Sequence, residues 1–211
     1  DDVAHYVTPG SPLDLEAKKR CNSTYFPGYC LPMIPSGLSE NLCSLKANVN
    51  RLTISVIMEL DKTGSLLNYE ILRSVIKSAK RFSYSDAKLI LDGKVQSKFS
   101  SNLQLMTELC QLLKKKRKER GCIEFALPEA RVVVNKNGVP EKIDVIEYDV
   151  THQLVEEFMI KANEVIATHL TNQGKQLSYR VHDEPAEDNI KDFAIIAGAY
   201  GFKLSETPTS Q

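Results

Sequence analysis

The carboxylate hardest to leave to solvent in this chain is Glu156, within LVEEFMIKANE. Wheeled at about 100° per residue, Leu154, Val155, Phe158, Met159, Ala162, Val165, Ile166 and Leu170 share a broad apolar arc. Glu157 falls opposite, placed to pair with Lys161 at i+4. Glu156 borders the arc and shares its side of the helix with Ile160, Asn163 and Ala167. A carboxylate there has to be paired, hydrogen-bonded or functional, because burying a bare charge is expensive. It is either a helix-edge glutamate held by a structural partner or an active-site acid.

The other reactive side chains suggest less. His5, His152, His169 and His182 show no ligand spacing such as HExxH, and all four read as structural. The five cysteines, Cys21, Cys30, Cys43, Cys110 and Cys122, are odd in number and contain no CxxC pair, which argues against a zinc site and a complete disulfide framework. None has neighbours that favour a thiolate. Asp183, Glu184 and Glu187 surround Pro185 as helix-start residues. Lys114, Lys115, Lys116, Arg117, Lys118 and Arg120 form either a phosphate track or a solvated helix end, and the solvated reading is the simpler one. The stretch TYFPGYCLPMIP is dense in proline, glycine and aromatics, and a long loop in a compact domain is usually functional. By residue type alone, Tyr25 braces that loop.

These groups need a scaffold, and hydrophobic periodicity supplies one. Residues 3–7 read as a short strand ended by Pro9-Gly10; Ser11 then caps a helix with Pro12 first, running to about residue 20. Strands at 52–60 and 67–76 flank the turn Asp61-Lys62-Thr63-Gly64 as a hairpin. Helices follow at 85–91 and 101–118, the second burying Leu105, Met106, Leu109, Leu112 and Leu113. Strands are expected at 122–126, 130–135 and 143–148, the last two around Asn137-Gly138. A long helix spans about 150–170. A strand at 178–181 leads into a helix that Pro185 opens and Gly201 closes, with Ile190, Phe193, Ala197 and Tyr200 inward. The class is therefore α+β: a mixed, largely antiparallel sheet built of hairpins and partly covered by helices.

Length and charge bound the rest. At 211 residues, one core is expected. The formal net charge is zero, so no whole-chain basic footprint exists and any nucleic-acid contact has to be local. No apolar run is long enough for a membrane span, no signal sequence opens the chain, and the cysteines suit a reducing cytoplasm. Beginning at Asp1-Asp2-Val3-Ala4 without a methionine, the chain reads as a piece of something larger.

DVAHYVTPGSPLDLEAKKR, TYFPGYCLPMIP, LSENLCSL, SVIKSAKRFSY, the NGVP hairpin, LVEEFMIKANE and YRVHDEP recur in this order, at similar spacing, in one family. The chain resembles the ribonuclease II and ribonuclease R exoribonucleases, whose shared catalytic module is the RNB domain, and it is nearer to the ribonuclease R type. The resemblance implies processive 3′→5′ hydrolysis of single-stranded RNA to nucleoside 5′-monophosphates, with Mg2+. It places Tyr25 against the 3′-terminal base, where a π face accepts every base at roughly 1–3 kcal/mol. It sets Phe125 on the other side of the stacked bases, although a strand phenylalanine is more often core. Glu156 would lie near the scissile end.

The family's metal-binding aspartates belong to a segment before residue 1, and Asp2 matches an aspartate that follows them. No metal ligand is assigned here. A later arginine-bearing segment and the flanking cold-shock and S1 barrels are also expected outside residues 1–211. The chain is then the middle portion of an RNB domain, inactive by itself. The alternative is an RNA-binding or scaffolding module of a catalytically dead RNB-like protein.

Overall fold

The computed structural model describes residues 1–123, 129–146, 148–181 and 183–204. Phe125 and His182 lie outside the described residues.

Where a strand is expected at residues 3–7, residues 3–6 form one helical turn, α1 (Val3–Tyr6), which ends at Val7. Asp2 explains the difference: its side chain accepts the His5 N–H at 3.2 Å, as an N-cap does, while its own N–H donates to the Leu52 carbonyl at 3.0 Å. Helix α2 (Pro12–Arg20) forms as its sequence dictates, with Ser11 Oγ accepting the Asp14 N–H at 3.2 Å and Pro12 in the first turn.

Strands β1 (Thr24–Phe26) and β2 (Tyr29–Leu31) make a tight hairpin in which Tyr25 faces Cys30 and Phe26 faces Tyr29. A π-helical turn, Gly37–Leu42, leads to the longest hairpin, β3 (Asn50–Leu60) with β4 (Leu66–Lys77). Its turn is tied by Asp61, whose Oδ1 accepts the N–H groups of Thr63 and Ser65, both at 2.8 Å. Facing hydroxyls of Thr53, Ser55 and Ser74 satisfy one another at 2.6–3.2 Å.

Helices α3 (Tyr84–Leu91), α4 (Ser100–Glu119) and α5 (Val150–Asn172) pack on one another, and β5 (Glu129–Val134) pairs with β6 (Pro140–Ile146) between α4 and α5 in the chain. The α+β class and the antiparallel hairpins are as expected. Each hairpin pairs within itself, giving three two-stranded sheets among the described residues. At the start of α5, Asp149 caps the helix and binds Lys88 of α3 at 3.4 Å, while Tyr84 stacks on His152 with centroids 4.0 Å apart. Burial alone would raise the Asp149 carboxyl. Hydrogen bonds from Thr151, His152 and Lys88 outweigh it and hold the carboxyl well below the usual carboxylate range.

Several faces differ from the helical wheel. On α4 the buried residues are Leu103, Cys110 and Leu113, whereas Leu105 and Met106 are open. On α5 they are Thr151, Leu154, Glu157 and Val165, with Val155 and Met159 exposed. The seam is rotated because α5 presents to α3 and α4 a stripe that includes a charged residue. Residues 178–181 are irregular; the Tyr179 hydroxyl is tied instead to Thr171 of α5. Cys122 and Ile123 are irregular as well, and the remainder of that expected strand lies outside the described residues. The last helix, α6 (Glu187–Ala199), buries only Ala197, leaving Phe193 and Tyr200 exposed. No helix among the described residues is long and apolar enough to cross a membrane.

Candidate functional site

The charged centre of the molecule lies where the end of α4 meets α5. Arg117 continues the α4 stripe of Leu103, Cys110 and Leu113, so its stem enters the helix interface. Its Nη2 donates to Glu157 Oε1 at 2.6 Å and approaches Glu156 Oε1 at 3.4 Å. Glu157 is the buried carboxylate, 3% exposed, and Glu156 keeps about a third of its side-chain surface. This corrects the expectation for Glu157: it is not on the solvated side, and Lys161 pairs with Glu164 at 3.5 Å instead. A carboxylate so buried requires a partner, and the guanidinium provides it. Burial alone would lower Arg117, but Glu157 holds it above its ordinary value.

The surrounding charges are also committed. Arg120 pairs with Glu164 at 2.8 Å, Lys115 with Glu119 at 3.9 Å, and Lys116 donates to Ser65. The run is thus divided: Lys114, Arg117 and Arg120 reach α5 and Lys116 reaches the turn between β3 and β4, whereas Lys115 and Lys118 lie exposed on α4 as the solvated reading expects. A cavity of about 370 Å³ opens beside it, lined in part by Lys116, Arg117, Glu157 and Glu164. Cys110 is 1% exposed, and burial together with the nearby Glu157 charge pushes its thiol up, which disfavours a nucleophilic thiolate.

Tyr25 stands apart from this cluster. Its ring is 79% exposed on β1, beside the open side chains of Phe26, Tyr29 and Leu31. The hairpin turn requires Gly28, which has φ +74°, and a Cβ there would lie 2.6 Å from Val134 Cγ2. The tip thus rests against the end of β5 with no room for a side chain. Among the described residues, no hydrogen bond, ion pair or ring contact joins Tyr25 to Glu156. Sequence reasoning missed Arg117 and Glu157 as partners. The seven-residue spacing of Leu103, Cys110 and Arg117 carried the signal.

Among the described residues, no group of three or more His, Cys, Asp or Glu side chains is arranged to hold a metal. Asp2, 4% exposed, already accepts from the His5 N–H and faces Arg73 Nε at 3.4 Å. The described residues do not fit a divalent-metal centre.

The family model of the RNB domain matches residues 1–210. Ribonuclease R of Chlamydia pneumoniae is 47% identical over the whole chain, which covers 31% of that protein. The Chlamydia muridarum ribonuclease R is 46% identical, with 30% of it covered. A Mycoplasma genitalium RNase R solved with ribose-methylated single-stranded RNA superposes with a TM-score of 0.92 at 32% identity, covering 99% of this chain and 34% of that one. The chain thus spans about a third of the length of these relatives. On the match of its family model and of its fold, the chain belongs to the RNB domain family.

Proposed function

We propose that this chain is the middle portion of the RNB domain of a 3′→5′ exoribonuclease, which hydrolyses single-stranded RNA to nucleoside 5′-monophosphates. The observation that carries the reading is Tyr25, an aromatic ring held almost fully open on a hairpin whose turn is fixed by Gly28 against Val134. Such a ring stacks on a 3′-terminal base of any identity. By the family resemblance, Phe125 is assigned to the other side of the stack, and Glu156, the accessible member of its pair, to the scissile end. The metal, expected to be Mg2+, is held by residues outside this chain. Cold-shock and S1 domains complete the RNA path in a cytoplasmic enzyme.

Exposed apolar side chains support the assignment to part of a larger domain. Phe193, Ile195, Ile196, Tyr200 and Phe202 are open around α6.

The test is a 5′-labelled RNA ladder digested by the complete protein. Wild type should shorten the RNA stepwise from its 3′ end, and Tyr25→Ala should stop at longer limit products. Endonucleolytic fragments, or limit products unchanged by Tyr25→Ala, refute the reading. RNA binding without hydrolysis supports the catalytically dead module instead. Release of mononucleotides by the purified chain with Mg2+ would refute its dependence on outside residues.

A further inference from the structure

Lys115, Arg117 and Arg120 of the obvious basic run are held in ion pairs within the fold, and among the described residues of a second cationic region Lys88 and Lys94 pair with Asp149 and Asp92 but Lys80, Arg81 and Lys98 do not. Residues 77–99 hold six basic and two acidic side chains in a chain of zero net charge. Lys80 and Arg81 leave the end of β4, and Lys98 precedes α4, so the two segments are separated in sequence by all of α3. Phe82 and Phe99 bring them together, meeting edge to face with centroids 5.7 Å apart. Each ring carries a lysine: Lys80 Nζ lies 5.8 Å from the Phe82 centroid and Lys98 Nζ 5.2 Å from that of Phe99.

Fixed backbone underlies this corner. The Asn48 N–H donates to the Ser78 carbonyl at 2.7 Å, and Ser78 Oγ to the Lys80 carbonyl at 3.3 Å. On the other segment, the Phe99 N–H donates to Ser97 Oγ at 3.2 Å. Lys80, Arg81 and Lys98 are all exposed, and none has an ion-pair partner among the described residues. Of the two acids, Asp92 is taken by Lys94 at 3.3 Å. A surplus of cations seated on aromatic rings is the chemistry that tracks a single-stranded phosphate backbone.

We infer that Lys80, Arg81 and Lys98, braced by Phe82 and Phe99, form a docking surface for the phosphates of single-stranded RNA, distinct from the Tyr25 hairpin. The inference rests on the RNA reading above. It adds a contact that is independent of base identity and holds RNA away from the gripped 3′ end.

The experiment measures binding of a fluorescein-labelled single-stranded oligoadenylate to the complete protein by anisotropy, in chelator and across a salt series. On a single strand each phosphate contact contributes about 0.7 to the slope of log K against log salt, so Lys80→Gln/Lys98→Gln should lower the slope by about 1.4. At about 0.1 M salt that corresponds to an affinity loss on the order of tenfold. Lys80→Arg/Lys98→Arg should restore the slope, and Lys136→Gln/Lys175→Gln, exposed elsewhere, should leave it unchanged. An unchanged slope in the Lys80/Lys98 pair, or an equal fall in the control pair, overturns this inference while the RNA reading stands. Wild type that binds no RNA overturns both.

Discussion

Removing the Glu157 carboxylate should loosen the α4–α5 contact far more than removing its neighbour. In Glu157→Ala the Arg117 guanidinium loses a 2.6 Å bond to a group 3% exposed. Breaking a buried ion pair from one side costs about 3–5 kcal/mol, since the surviving charge stays behind without its partner. Arg117 keeps a fifth of its side-chain surface and a second carboxylate 3.4 Å away. The cost therefore falls at the lower end, about 3 kcal/mol. Glu156→Ala removes a more exposed partner at longer range, where ion pairs contribute less than about 1 kcal/mol.

Amide hydrogen exchange in the complete protein, followed by mass spectrometry, reads this locally. With each 1.4 kcal/mol worth tenfold, Glu157→Ala should speed exchange in α4 and α5 about a hundredfold, and Glu156→Ala by less than about tenfold. Arg117→Met/Glu157→Leu should recover most of the protection, because apolar replacement of both partners is often neutral. If Glu157→Ala accelerates exchange less than Glu156→Ala does, the assignment of the buried pair is wrong.

Other outcomes follow from the same structure. Tyr25→Ala should lengthen the limit products of digestion on the labelled ladder, because roughly 1–3 kcal/mol of stacking is lost. Gly28→Ala should lengthen them too, since the added Cβ meets Val134 at 2.6 Å with φ at +74°; Gly28→Ala/Val134→Ala should recover only part, because the backbone strain remains. Asp149, with its folded pKa lowered, contributes stability that is fully present above its unfolded value of about 3.9 and is lost as pH falls through the folded value. The extra protection of the first turn of α5 in wild type over Asp149→Ala should thus be full at pH 6 and shrink in acid, and a constant difference would refute it. The salt slope of Lys80→Gln/Lys98→Gln tests the second RNA surface as set out above.

Local chemistry made most elements legible. Ser11 and Pro12 announced α2, and Asp61 and Asn137-Gly138 announced their hairpins, because a cap or turn is decided by atoms a few residues apart. Tertiary context decided the failures. Residues 3–7 read as a strand before the Pro9-Gly10 turn, but Asp2 is bound to Leu52 and Arg73, and it caps a helical turn instead. Residues 178–181 have strand composition, yet Tyr179 is tied to Thr171 of α5. On α6, an apolar arc implied an inward face, but among the described residues Phe193 and Tyr200 stay exposed.

The adjacent glutamates show why the site was only half legible. A motif match to LVEEFM identifies the glutamate pair, and a wheel can rank its members only against the apolar residues of the same helix. That ranking put Glu157 in solvent because it falls opposite the apolar arc of α5. The deciding group is Arg117, forty positions away in sequence and hidden in a run of six basic residues. Its distinguishing mark is position: seven residues beyond Cys110 and fourteen beyond Leu103, it extends a buried stripe that no other cation of the run shares so closely. A charge placed on one helix's buried stripe demands an opposite charge on the facing helix, which makes Glu157 the structural partner. Glu156, turned about 100° away on the same helix, is the carboxylate left accessible to a ligand.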